Sequence, residues 1–150
     1  MKKCEEEKVT DADSAGLGGL ILDVQPRLLG GIGGVDTLID SIKTFARSIG
    51  ALRVPLCLTE QVPDKLGQTE EGVLEACPGS STFSKDSFSA FGCPDFDEWI
   101  SEGGIDHLLL TGVETPICVY LTAVDAVRRG LTVTVLTDCV GCRRPEDGKW

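Results

Sequence analysis

The chain has 150 residues, enough for one domain with its own core and too few for two. Its 41% hydrophobic and 25% charged content is ordinary for a soluble globular protein, and no apolar run approaches the ~20 residues that span a bilayer, which argues against a membrane protein. Fourteen basic residues against 24 acidic ones give a formal net charge of -10, which repels a phosphate backbone, so nucleic acid is a poor partner.

The opening "MKKCEEEKVTDADSAG" lacks the apolar core and cleavage site of a secretory signal, and residues 1–15 are expected to form a flexible acidic tail ahead of a domain over 16–150. In "LGGLILDVQ" the uninterrupted Leu20, Ile21 and Leu22 predict a strand covered on both faces, ending at Asp23. After the loop "PRLLGGIGG", "VDTLIDSIKTFARSIG" spaces Val35, Leu38, Ile39, Ile42, Phe45, Ala46 and Ile49 as one face of a helix, with Gly50 as its stop. "RVPLCLTEQ" reads as a second strand, and "VPDKLGQTEEGVLEACPGSS" as an irregular connection with one or two helical turns. "STFSKDSFSAF" is a short extended piece, followed by a helix over "PDFDEWISEGG" with Pro94 in its first turn. "DHLLLTGV" is a third apolar strand, "TPICVYLTAVDAVRRG" a second long helix and "LTVTVLTD" a β-branched strand before "CVGCRRPEDGKW".

Strands alternating with helices imply βαβ units and a mainly parallel sheet, a three-layer α-β-α fold of Rossmann-like type. Ligands of such sheets bind at the carboxyl ends of the strands, which here carry Asp23, Glu60, Gln61, residues 112–118 and Asp138. Cys118 falls in the first turn of a helix, where free N–H groups and the macrodipole favour a thiolate, so a lowered pKa is expected. The same N–H groups can receive an oxyanion. The other role open to Cys118 is that of a small buried residue. A nucleophilic thiol needs a base, and the single histidine, His107, precedes "LLL" at the amino end of its strand, which argues against a Cys–His pair. Asp23 is then either the base or the cap of a loop, and Lys85 either a cation stabilising both groups or, more plainly, a solvated loop lysine.

The blocks "LILDVQ", "FSKDSFSAF" and "LTGVETPICVYLTAVDAVRRGLTVTVLTDCVG" resemble, in order and spacing, the signature blocks of the isochorismatase-like cysteine hydrolases, and "LTEQVPDKLGQT" resembles a stretch of their isochorismatase-domain branch. The resemblance runs from about Leu17 to Gly141. It implies Cys118 as nucleophile, Asp23 as general base and Lys85 as the orienting cation. It also implies a cis peptide between Val113 and Glu114 that aims the N–H groups of Glu114 and Cys118 at an oxyanion. Gln25, Glu60, Gln61 and Phe88 are the candidates for lining the substrate pocket. The reaction implied is acyl transfer on a small amide or related C–N compound through a thioester. The alternative is a non-catalytic member of the fold that acts in protein interaction or oligomer assembly.

Nicotinamidases of this superfamily bind a metal through an Asp and several histidines after the second strand, whereas "LCLTEQVPDKLG" has no histidine, so neither a metal nor a cofactor is expected. Pro116 stands where members often carry a polar residue or histidine, and proline suits a first helical position. Family domains continue past "TDCVG" with a helix and an edge strand that this chain, ending at Trp150, is expected to lack; a natural short form, an incomplete chain and a covering partner subunit stay open. A homo-oligomer is expected. Seven cysteines, at 4, 57, 77, 93, 118, 139 and 142, are odd in number and scattered, which points to reduced thiols in a cytoplasm. Cys139 and Cys142 form a lone Cys-x-x-Cys with no second pair, read as incidental. "GIGGVD" has Asp36 where a dinucleotide-binding turn needs glycine.

Overall fold

The computed structural model describes residues 16–149, and the tail expected over 1–15 lies outside them. The apolar blocks become the strands β1 (Leu17–Leu22), β2 (Leu56–Gln61), β4 (His107–Val113) and β5 (Thr132–Gly141), and the short extended piece becomes β3 (Ser81–Lys85). They form one sheet in the order β3-β2-β1-β4-β5, every pairing parallel. Because side chains alternate across a strand, Ile21 faces one core while Leu20 and Leu22 face the other.

The first core is closed by α2 (Val35–Ala51) through Leu38, Ile42, Phe45, Ala46 and Ile49, with Leu29 of α1 (Pro26–Leu29) and Val73 of α4 (Glu71–Glu75). The second is closed by Phe96 and Ile100 of α5 (Pro94–Glu102) and Ala126 of α6 (Tyr120–Arg128). Helices on both faces of a parallel sheet give three layers.

The irregular connection after β2 contains two helical turns, as expected, α3 (Pro63–Leu66) and α4. Two details depart from the expected elements. The loop after β1 contains the single helical turn α1. The second long helix opens as a wide π turn over Thr115–Val119, closed by Val119 N–H donating to Glu114 O at 3.2 Å, before α6 begins.

The chain order places a switch point between β1 and β4. Connections from β1 run outward through β2 to β3, whereas the return places β4 on the other side of β1. The carboxyl ends of β1 and β4 therefore flank the crevice in which open sheets bind ligands. His107 opens β4 at the opposite end, its Nε2 2.8 Å from Thr134 Oγ1.

Candidate active site

Asp23 follows directly on β1 in the left-handed region, with φ 55°, a conformation that aspartate tolerates better than most residues. Its N–H donates to Thr59 O at 3.1 Å, and its side chain is fully buried. Such a carboxylate must be paired and hydrogen-bonded. Thr59 Oγ1 donates to Oδ1 at 2.8 Å, and Lys85 Nζ donates to Oδ2 at 2.7 Å. Lys85 is the last residue of β3, so its side chain crosses the end of β2 to reach β1. Nζ also donates to Gln61 Oε1 at 2.7 Å and to the carbonyls of Ser87 and Phe88, each at 3.0 Å.

Beyond β4, the Val113–Glu114 peptide is cis. The π turn then carries Cys118, only 5% exposed, next to Asp23. Burial and then the negative Asp23, to which the thiol donates, push Cys118 up to about 12; Lys85 and the Glu114 N–H at the sulfur pull the other way. The lowered pKa expected from the helix start is therefore corrected. The terminus effect is outweighed because the sulfur is desolvated and faces a carboxylate from another strand.

Asp23, Lys85 and Cys118 thus meet at the carboxyl ends of β1, β3 and β4. The pocket-lining candidates are differently placed. Gln25 is buried and spends its amide on main chain, its Oε1 accepting from Gln61 N at 2.8 Å and its Nε2 donating to Gln61 O at 3.1 Å and to Gly67 O. Glu60 is likewise turned inward, its Oε1 accepting from Thr69 N at 2.7 Å and Thr69 Oγ1 at 2.9 Å. Gln61 accepts from Lys85. Only Phe88 is open, 57% exposed. Ile117, Tyr120 and Leu121, on the segment that carries Cys118, are also exposed.

Glu114, whose N–H reaches the sulfur, is anchored by its carboxylate: Arg143 Nε donates to Oε1 at 2.7 Å and Arg143 N to Oε2 at 3.1 Å. Neither Arg143 nor Thr59 was marked by the sequence, although Thr59 lies two residues before Gln61 and so shares its face of β2. Cys139 packs into the first core, and the Cys142 Sγ donates to Arg144 O at 3.1 Å. Among the described residues no three His, Cys, Asp or Glu side chains gather as a metal site requires. A cleft of about 640 Å3 lined by Arg47, Pro55, Cys77, Ser81 and Trp99 holds none of Asp23, Lys85 and Cys118.

A family model for the isochorismatase domain matches residues 19–150. Isochorismatase family protein 1B of Dictyostelium discoideum is 30% identical over 135 residues, 85% of this chain and 64% of the relative. The chain therefore spans slightly less than two thirds of the length of that relative. Among solved structures, the MAR1 ribonuclease of Caenorhabditis elegans superposes with a TM-score of 0.83 at 26% identity, over 90% of this chain and 69% of that one. The YcaC gene product of Escherichia coli, described as an octameric hydrolase of unknown specificity, superposes with a TM-score of 0.85 at 21% identity, over 91% of this chain and 69% of that one.

Proposed function

The chain belongs to the isochorismatase family, and on that premise we propose that it is a cysteine hydrolase of small amides or related C–N compounds, with Cys118 as nucleophile, Asp23 as general base and Lys85 as the cation that orients them. The observation that carries this reading is the buried Asp23–Lys85 pair facing the Cys118 thiol. A buried ion pair is a poor way to stabilise a fold, since apolar residues of similar volume often do as well or better. The alternative, a non-catalytic assembly protein, leaves that pair without a purpose.

In the first half-reaction Asp23 accepts the thiol proton while the sulfur bonds to the carbonyl carbon. The carbonyl electron pair moves to oxygen, where the N–H groups of Glu114 and Cys118 receive it. Collapse breaks the C–N bond, Asp23 returns its proton to the departing nitrogen, and a thioester remains. In the second half-reaction Asp23 takes a proton from water, the resulting hydroxide attacks the thioester, and the sulfur leaves and regains its proton from Asp23. Lys85 keeps Asp23 in place and offsets its charge throughout.

The proposal needs no metal or cofactor, because every proton and charge is handled by these side chains. The acidic surface supports a small-molecule substrate over nucleic acid. We place the enzyme in the cytoplasm, supported by the free state of all six cysteines among the described residues. The exposed apolar side chains Phe88, Ile117 and Leu121 support a homo-oligomer.

The test is an intact-mass search for a covalent adduct after incubation with a panel of small amides. We expect an acyl mass on the wild-type chain and none on the Cys118→Ala variant, which should also lose all turnover. Equal turnover in that variant, or iodoacetamide labelling of Cys118 no faster than of Cys57, overturns the assignment.

A further inference from the structure

We propose that β2, which carries neither nucleophile, base nor cation, supplies two positioning residues, Thr59 and Gln61, that hold the Asp23–Lys85 pair from its two ends; this rests on the reading of Asp23 as the base. Thr59 and Gln61 are two apart on β2, and both are buried. They engage opposite ends of the Asp23–Lys85 pair.

Thr59 grips Asp23 twice. Its carbonyl accepts the Asp23 N–H at 3.1 Å, and its hydroxyl donates to Oδ1 at 2.8 Å. The carboxylate, which has about four acceptor sites, thus has Oδ1 held by Thr59 and Oδ2 by Lys85, and accepts the Cys118 thiol as a third donor. Thr59 therefore restrains the rotation of the Asp23 side chain. A donor to a carboxylate favours its charged form and so weakens it as a base.

Gln61 does the corresponding work on the cation. An ammonium can only donate, so the group 2.7 Å from Nζ is the Gln61 carbonyl oxygen. Its distance equals that of the Asp23 bond, yet it is neutral and does not compete with Asp23 for the charge. Gln61 is itself fixed, because both polar groups of its main chain are bonded to the Gln25 amide. The chain Gln25–Gln61–Lys85–Asp23–Thr59 is a closed buried network, and networks of this kind hold their members in one geometry when every polar atom is satisfied. Gln25 and Gln61 thereby serve the geometry of the pair.

The experiment is the pH dependence of Cys118 alkylation by iodoacetamide on the full chain, read by peptide mass. Thr59→Val keeps the shape of the side chain and removes the hydroxyl, so the acid limb of the profile should move up by about one pH unit. Thr59→Ser should restore the wild-type profile, which a purely structural role for the residue does not predict. Gln61→Glu places an anion beside Lys85 and should move the limb in the same direction. An unmoved limb in folded Thr59→Val overturns the role of Thr59, and an unmoved limb in Gln61→Glu overturns that of Gln61. A wild-type acid limb that survives Asp23→Asn overturns instead the base on which the proposal rests.

Discussion

Gly112 shows how much of the site one residue sets. It is the penultimate residue of β4, with φ 114°, and a Cβ there would lie 2.1 Å from Leu22 O and 2.6 Å from Leu22 N. Those are backbone atoms of the residue just before Asp23, so they move only if the strand end moves. Gly112→Ala is therefore expected to separate the ends of β1 and β4, lowering the melting temperature and bringing Cys118 alkylation down to the rate of Cys57. A thermal melt and a labelling time course check this together, and unchanged values refute the close approach as a requirement. At this scale, Asp23 was legible as the residue that ends the apolar block of β1, whereas the grouping of Lys85 and Cys118 with it came from the resemblance, because the residues alone left Lys85 as a solvated loop lysine and Cys118 as either a nucleophile or a small buried residue. What Gln25 does was not, since its partner Gln61 lies 36 residues away and is brought to it only by the pairing of β1 with β2. The thiol of Cys118 was misjudged for a similar reason. A helix terminus is a property of one element, whereas the carboxylate that outweighs it comes from another.

At the scale of elements, the hydrophobic pattern located β1, β2, β4, β5 and the long helices, because burial on one or both faces leaves a period in the sequence, whereas the largely exposed β3 showed only as a short extended piece. It left strand order unread, since no local signal says on which side of β1 the returning β4 docks. It also left α1 unread, because four residues are too brief to show a period. The start of α3 carries a local cost that the structure reveals. Val62 caps it at φ 37° and ψ 66° with no side-chain hydrogen bond, and a β-branched residue is ill suited to that left-handed conformation. Asparagine tolerates it and is among the preferred N-caps. Val62→Asn is expected to raise stability by about 1 kcal/mol, a gain of ~2–4 °C in melting temperature for a chain of this size. A lower melting temperature would show that packing of the half-buried valine outweighs its backbone strain.

For the whole molecule, two cores on a thin parallel sheet leave little room for charge, and Cys57, Cys77, Cys93 and Cys139 fall inside them. All six described thiols are free and buried. Burial pushes Cys57 up and Cys77 to about 11, burial followed by Asp138 pushes Cys139 to about 12, and burial chiefly raises Cys142. With Cys118 at about 12, the folded chain keeps protons that an unfolded chain loses above pH ~8.5. Between that value and the folded ones the unfolded state binds fewer protons, so the slope of unfolding free energy against pH is negative. The stability these thiols contribute is present in full below pH ~8.5 and drains as pH rises toward 12. A net charge of -10 adds self-repulsion in the same direction. The urea midpoint should therefore fall steadily from pH 8 to pH 11, and the double variant Cys77→Ala, Cys139→Ala should show a shallower fall even if it starts from a lower midpoint. Comparing slopes separates proton linkage from the cavities that the alanines leave. A midpoint that stays level across that range would mean that the buried thiols ionise in place without opening the fold.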